Sequence, residues 1–545
     1  MRRRENLRNA SFHDYTNGQG SALQENRMSW EKEVEEIRRR VEIAKGMGGP
    51  DNVKRQHDGG KLTVRERIER LLDAGTFHEY GALAGAPKYE GQTLASIMPA
   101  NFVGGTGRIN GRRVVVGGDD FTVRGGAADA SIGNKQGYAE LLAHELHLPI
   151  VRLVDGTGGG GSVRSLDTMK RTYIPANPAF DVLVKLMGEV PVVAGCMGSV
   201  AGLGAARVAA SHFSVMVRGS SQLFIAGPPV VKWGVGEELT KEELGGSEIH
   251  AHISGAVDNE AESEDDAFAQ IRRFLSYLPQ SVWNVPPRVT PDDDPARRED
   301  ELIGIVPRNR RHGYDVRRIL ELVMDRESCF EMTPFFGPSL VTGFARLDGF
   351  PVGVMASDPF SIGGSLDGPA SDKMVKFLDL CDTFHLPVVN FVDQPGFLIG
   401  REAEMAGTIR RGVRALYALF QTTTPLVAII VRKAFGVAGA GHGITTGLNL
   451  RYAWPSADWG SLPIEGGIEA AYKRDLAASS DPEKLRKELE EKFNAVRSPI
   501  RTAEAFGIEE IIDPRDTRPI LVDWVHQAYE IVPTLLGIRT RTMRP

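Results

Sequence analysis

Two glycine-bearing turns carry the residue types in this 545-residue chain best suited to chemistry. EVPVVAGCMGSVAGLGAARVA begins at Glu189 and TTPLVAIIVRKAFGVAGAGHG at Thr423, with Pro191 falling over Pro425 and Gly202 over Gly436. Each places a small-residue turn after an apolar, β-branched run that reads as a buried strand. Backbone N–H groups at such a turn stand clear of side-chain bulk and can stabilise an oxygen on which negative charge develops; losing one such donor costs roughly 3 to 4 kcal/mol. The candidates are Gly202, Leu203 and Gly204 in the first stretch and Gly436, Val437 and Ala438 in the second. Glycine turns also serve tight packing alone. Their recurrence at matching places favours the chemical reading, with two holes for two substrates.

The recurrence belongs to a longer repeat. A constant offset of 238 residues sets Asp120, Gly125, Gly126, Asp129, Lys135, Leu142, His147, Leu148, Pro149, Val154 and Asp155 over Asp358, Gly363, Gly364, Asp367, Lys373, Leu380, His385, Leu386, Pro387, Val392 and Asp393. The chain is therefore an internal duplication. In each copy an apolar strand precedes the first Asp, a helical run carries the Lys, and a second strand ends in Val-Asp: IVRLVD at 150 to 155 and VVNFVD at 388 to 393. Strand, helix and strand with buried β-branched runs predict an α/β fold.

Other chemistry is poorly supplied. The glycine run 158 to 161 lacks the trailing Gly-Lys-Ser/Thr of a phosphate loop, no dinucleotide fingerprint follows a strand, and no G-x-S-x-G occurs. Cys196, Cys329 and Cys381 are dispersed, with no metal-ligand spacing, and their odd count argues against a disulfide framework. No metal site is expected, Cys196 and Cys381 read as small buried hydrophobes, and a reducing, cytoplasmic compartment is the simplest home. His147 and His385, each just before a Leu-Pro, suggest structural hydrogen bonds. A formal charge of -6 offers no general field for nucleic acid or an anionic membrane. The longest membrane-like stretch, 191 to 206, holds four glycines, ends at Arg207 and falls short of the roughly 20 apolar residues a span needs. MRRRENLRN runs into a polar segment rather than an apolar one, so it does not read as a secretory signal.

Around the repeat, residues 1 to 28 are polar and irregular. Ser29 can cap a helix in which Trp30, Val34, Ile37, Val41 and Ala44 recur, ending at the Gly48-Gly49-Pro50 breaker. A second helix is predicted at about 62 to 73, with Leu62, Ile68, Leu71 and Leu72 inward and Arg65, Glu66 and Arg67 on a solvated face. Acidic and proline-rich sequence between 256 and 300 marks a division near 290, giving an N-terminal domain of residues 29 to 290 and a C-terminal domain of 291 to 545. A late helix at 482 to 494 is signed by an Asp481 cap, Pro482 at its first position, and Leu485, Leu489 and Phe493 on one face.

Several long stretches together carry a resemblance: HDGGKLTVRERIERLLDAGTF at 57 to 77, DFTVRGG at 120 to 126, LCDTFHLPVVNFVDQPGF at 380 to 397, IRRGVRALYA at 409 to 418, RKAFG at 432 to 436 and YAWPSA at 452 to 457. Over nearly its whole length the chain resembles the carboxyltransferase β subunits of biotin-dependent acyl-CoA carboxylases. The resemblance implies two crotonase-like domains of repeated ββα units. It further implies transfer of a carboxyl group from carboxybiotin to the α-carbon, or its vinylogous position, of an acyl-CoA. The N-domain would hold the acyl-CoA, with the thioester oxygen at amides around Gly202, Leu203 and Gly204 and the stretch Gly156, Thr157, Gly158 and Gly159 near the CoA. The C-domain would receive biotin, its ureido oxygen at amides around Phe435, Gly436, Val437 and Ala438 beside Lys433. The ureido group left after transfer would take the α-proton, so no side-chain base is required.

By the same resemblance the site forms between the N-domain of one subunit and the C-domain of another, in a homohexamer. No biotinyl-lysine motif and no ATP loop is present in this sequence, so carboxybiotin would arrive on a partner carrier, charged by a partner biotin carboxylase that uses ATP and Mg. The chain departs from the family pattern at three places. Val200 to Gly204 replaces a C-A-G-G-A turn, residues 155 to 159 stand at a D-S-G-G-A-R pattern, and Lys433 to Ala438 replaces K-A-Y-G-G-A, with Ala440 where some members carry a polar residue that limits acyl size. The acyl group is thereby left open. An acyl-CoA decarboxylase or other crotonase-type CoA enzyme is the alternative reading, and a noncatalytic assembly subunit a second.

Overall fold

The computed structural model describes residues 30–127, 131–156, 158, 162–172, 174, 180–443, 447–541 and 543. The predicted first segment, 1 to 28, and the Ser29 cap lie outside the described residues.

Two seven-position sheets repeat one plan. The first contains β1 (His78–Glu79), β2 (Phe102–Ile109), β3 (Arg112–Asp119), β4 (Ile150–Val154), β5 (Val192–Cys196), β6 (Phe213–Val217) and β7 (Asn259–Ala261), adjacent in that order. The second contains β8 (Phe330–Met332), β9 (Leu340–Leu347), β10 (Phe350–Ser357), β11 (Val388–Gln394), β12 (Leu426–Phe435), β13 (Asn449–Ala453) and β14 (Glu510–Ile511), again adjacent in order. In both, the first three strands are antiparallel and the rest parallel. Parallel strands need crossovers that cover the sheet faces, which is why β4, β5 and β11 are buried along their whole length. The equivalent crossover helices are Lys135–Leu146 and Gly368–Thr383. Both are followed by a histidine in the left-handed region, His147 at φ 49 and His385 at φ 58. His385 Nε2 meets Val282 O at 2.8 Å, whereas His147 lies against the Trp283 ring, centroids 4.2 Å apart.

A single apolar cluster joins the halves: Phe213 and Phe274 from the first stack at 4.8 Å, Phe330 and Phe344 from the second pack on them, and Phe377 packs on Phe344. A second cluster, with Trp454 and Trp524 fully buried, lies on the other face of the second sheet. Cys196 and Cys381 are buried, and burial pushes the Cys196 thiol up to about 12.

The first helix, Glu31–Lys45, ends ahead of Gly48-Gly49-Pro50 as read, and Pro50 starts the next helix, Pro50–Asp58, at a first-turn position where its missing N–H costs nothing. One local expectation needs correction. The next helix spans Val64–Leu71 with a Thr63–Glu66 capping box, and its Arg67 is fully buried rather than solvated. The helix Pro482–Asn494 forms as read, with the Asp481 side chain accepting from the Lys484 N–H and Leu489 buried.

Candidate active site

The two glycine turns are built alike. After β5 the chain enters the short strand Ser199–Ala201, which pairs in parallel with Gln222–Phe224. Gly202 then adopts φ 64, ψ -124, a conformation costly for any residue with a Cβ, and caps the helix Leu203–Ala209. In the second copy β12 runs on to Phe435, its last residues pairing with Asp458–Gly460, and Gly436, also at φ 64, opens the helix Gly436–Ala440. The first N–H groups of any helix lack intrahelical acceptors. Among the described residues the amides of Leu203, Gly204, Gly436, Val437 and Ala438 donate to no backbone carbonyl outside their helices. Gly202 departs from expectation, because its N–H donates to Phe224 O at 3.2 Å; it shapes the first turn while Leu203 and Gly204 present its donors. Phe435 and Ala438 are buried, while Leu203, Val437 and Ala440 are exposed.

Beside the first turn lies a cavity of about 130 Å³ lined by Gly156, Gly158, Leu203, Gly204, Asp119 and Arg207 among others. The structure brings Gly156 and Gly158 to the turn; Thr157 and Gly159 lie outside the described residues. The described lining runs from Ala100 to Arg207, with no residue of the second copy.

Equivalent buried aspartates anchor both sites. Asp155, ending β4, receives Arg67 Nη1 at 2.8 Å, Lys61 Nζ at 3.3 Å and Gln56 Nε2 at 3.3 Å. The same arginine donates twice to Glu264 at 2.8 Å and once to Met197 O at 3.0 Å, tying β4, the turn after β5 and the helix Glu264–Tyr277 together. In the second copy Asp393 receives Arg432 Nε at 2.9 Å and the Lys433 N–H at 3.1 Å. One duplicated carboxylate is thus neutralised by arginines from different elements. Burial lowers the pKa of half-buried Lys433, with Asp393 opposing that shift.

Sequence reasoning missed Arg67, Asp119, Arg207 and His442. His442 is buried between Asn390 Nδ2 and Gln394 Oε1, each at 3.0 Å, and burial pushes it down to about 4, so a neutral ring spans the two amides. Gln394 falls within the DQPGF stretch, the available signal for that cluster.

Two copies of one parallel-sheet unit, each ending a strand in a glycine that opens a short helix with free amides, define a crotonase-type carboxyltransferase. The chain belongs to the carboxyl transferase domain family, whose pattern matches residues 55–529. It is similar to the propionyl-CoA carboxylase carboxyltransferase subunit of Haloferax mediterranei, 37% identical over 503 residues, covering 91% of this chain and 96% of that one. It is also similar to the methylmalonyl-CoA decarboxylase subunit alpha of Veillonella parvula, 34% identical over 500 residues, covering 90% and 95%. The transcarboxylase 12S crystal structure, described as a hexamer assembly with methylmalonyl-coenzyme A and methylmalonic acid bound, superposes with a TM-score of 0.83 at 33% identity, covering 95% of this chain and 99% of that one.

Proposed function

We propose that this chain moves a carboxyl group between carboxybiotin and the α-carbon of a short acyl-CoA, using the two glycine turns as separate oxygen-holding sites. The observation that carries this reading is the pair of turns itself: the same φ of 64 at Gly202 and Gly436, each opening a helix with unspent amides. Leu203 and Gly204 N–H groups hold the thioester oxygen as the α-carbon loses its proton, with Gly156 and Gly158 forming the neighbouring wall. The Gly436, Val437 and Ala438 amides, on a strand end fixed by Asp393 and Arg432, face the biotin side, with Lys433 and Ala440 flanking. These residues fit a ureido oxygen, since fixed N–H dipoles with no bulk before them are what such an acceptor needs. Carboxybiotin, when bound, supplies the carboxyl group. The chain's own residues orient, exclude water and stabilise charge.

The division near residue 290 would make the first copy the acyl-CoA domain and the second the biotin domain. A composite site between copies of this chain, in a homohexamer, would cover apolar side chains that a single copy leaves exposed. Val437 is 66% exposed and Trp233, on the helix Pro228–Val235, is 91% exposed. A partner carrier and a partner biotin carboxylase using ATP and Mg complete the scheme. The methylmalonyl-CoA decarboxylase relative favours a second reading in which the same amides serve removal of a carboxyl group.

Gly202→Val and Gly436→Val separate the two roles. A Cβ at Gly202 meets nothing within 4 Å and one at Gly436 only Ser461 O at 3.6 Å, so valine acts by straining the backbone and projecting into the open site rather than by clashing with the core. Gly202→Val should weaken acyl-CoA binding by calorimetry. Gly436→Val should leave that binding intact and lower biotin-dependent transfer by about 100-fold or more, the cost of one displaced donor. Full transfer in Gly436→Val, with oligomer mass and unfolding temperature unchanged, would sink the assignment.

A further inference from the structure

Asp119 stands at the end of β3 on the wall of the cavity beside Leu203 and Gly204. Its carboxylate accepts the Asp155 N–H at 3.2 Å on Oδ2 and the Gln136 side chain at 3.4 Å on Oδ1, and a Cβ at Gly156 would lie 3.6 Å from Oδ2. Among the described residues it makes no ion pair, although cations surround it. Arg67 is spent on Asp155 and Glu264, Arg207 on Glu140 at 2.9 Å, and Lys135 on Glu79 at 3.3 Å. The other charged group beside it, Asp155, is itself an acid. A carboxyl in a confined, apolar-backed place without a paired cation is costly and is kept where it serves a site. The duplication supplies an internal comparison, because the equivalent position in the second copy, the last residue of β10 before the shared Asp358, is Ser357. The scaffold folds without the carboxyl there, so its presence belongs to the first site and not to the unit.

We propose that Asp119 discriminates by charge between an acyl-CoA and its carboxylated product, admitting the neutral acyl group and disfavouring an acyl group that carries a carboxylate. This rests on the reading of the Leu203–Gly204 turn as the acyl site and names the specificity of that site. A carboxylate added to the acyl chain enters a cavity of about 130 Å³ that already holds the Asp119 carboxyl. Two like charges confined there repel, and the repulsion acts on the product alone. Burial pushes the Asp119 carboxyl up to about 7; the Asp155 N–H opposes this, the Asp155 carboxylate reinforces it, and Arg207 and Arg67 oppose it from further off. Discrimination is therefore weak in mild acid, where Asp119 holds a proton and can donate it in a hydrogen bond, and grows as the pH rises through neutrality.

The test is calorimetric binding of propionyl-CoA and methylmalonyl-CoA to the full-length protein at about pH 6 and about pH 8. The CoA phosphates titrate equally in both ligands, so the ratio of dissociation constants isolates the acyl end. In the wild type the ratio of methylmalonyl-CoA to propionyl-CoA dissociation constants should rise about tenfold or more between the two pH values, about 1.4 kcal/mol. In Asp119→Asn, and in Asp119→Ser, which restores the residue type of the second copy, the ratio should stay flat. A flat ratio in the wild type, or an unchanged rise in the folded Asp119→Asn protein, overturns the proposal and leaves the acyl-site reading standing. Binding of both thioesters that ignores Gly202→Val overturns both.

Discussion

Replacing Arg67 by alanine should cost about 3 to 5 kcal/mol of stability, the penalty for removing one partner from a buried ion network. The magnitude follows from what is left behind. Arg67 is fully buried and makes four hydrogen bonds, two to Glu264, one to Asp155 and one to Met197 O, and Asp155 is itself inaccessible. Without the guanidinium, Glu264 loses both its bonds to it, while among the described residues Asp155 keeps the side chains of Lys61 at 3.3 Å and Gln56 at 3.3 Å. Arg70, three residues on, provides the control. Its pair with Asp265 spans 2.8 Å with side chains 50% and 65% exposed, so Arg70→Ala should cost less than about 1 kcal/mol. Urea unfolding at one fixed chain concentration reads both, since an oligomer's midpoint depends on concentration. Adding Glu264→Gln to Arg67→Ala should recover part of the loss by removing one stranded charge. A loss for Arg67→Ala no larger than that for Arg70→Ala would refute the reasoning. Because Asp155 leads into Gly156 and Gly158, the same variant should also weaken acyl-CoA binding.

His212, His385 and His442 are buried with pKa values pushed down to about 3, 4 and 4, chiefly by burial. The neutral rings are favoured in the fold, so their stabilisation is complete above the unfolded value near 6.5 and is lost as pH falls toward about 4, at up to about 1.4 kcal/mol per pH unit for each ring. Urea midpoints between about pH 7 and pH 5 should fall accordingly, and a folded His385→Gln protein should show a shallower slope; equal slopes would contradict it. Sedimentation should give a stable oligomer at micromolar concentration, with a hexamer as the expected mass, whereas a persistent monomer would defeat the composite site.

Legibility in the sequence followed the range of the forces involved. The duplication was readable because a gapless offset of 238 residues keeps the strands in register: β2 and β9, and β3 and β10, begin and end at equivalent positions. Asp481 and Pro482 announce their helix because capping is local. Arg67 was misread because its fate is set by carboxylates 88 and 197 residues away, which a helical wheel does not contain. The spent amide of Gly202 depends on Phe224 across a two-stranded pairing, again a tertiary fact. Asp119 was hidden beside Asp120; the repeat separates the two acids, with Asp120 recurring as Asp358 and Asp119 falling over Ser357, but that Asp119 lines a cavity is visible only in the fold.

Isotope exchange tests the central claim most directly. Labelled propionyl-CoA and unlabelled methylmalonyl-CoA, incubated with the purified chain, should exchange label in the presence of added free biotin and not in its absence, and Gly436→Val should lose that exchange. Exchange at the same rate without biotin, or none with biotin for any short acyl-CoA and its carboxylated form, would contradict carboxyl transfer at these two turns.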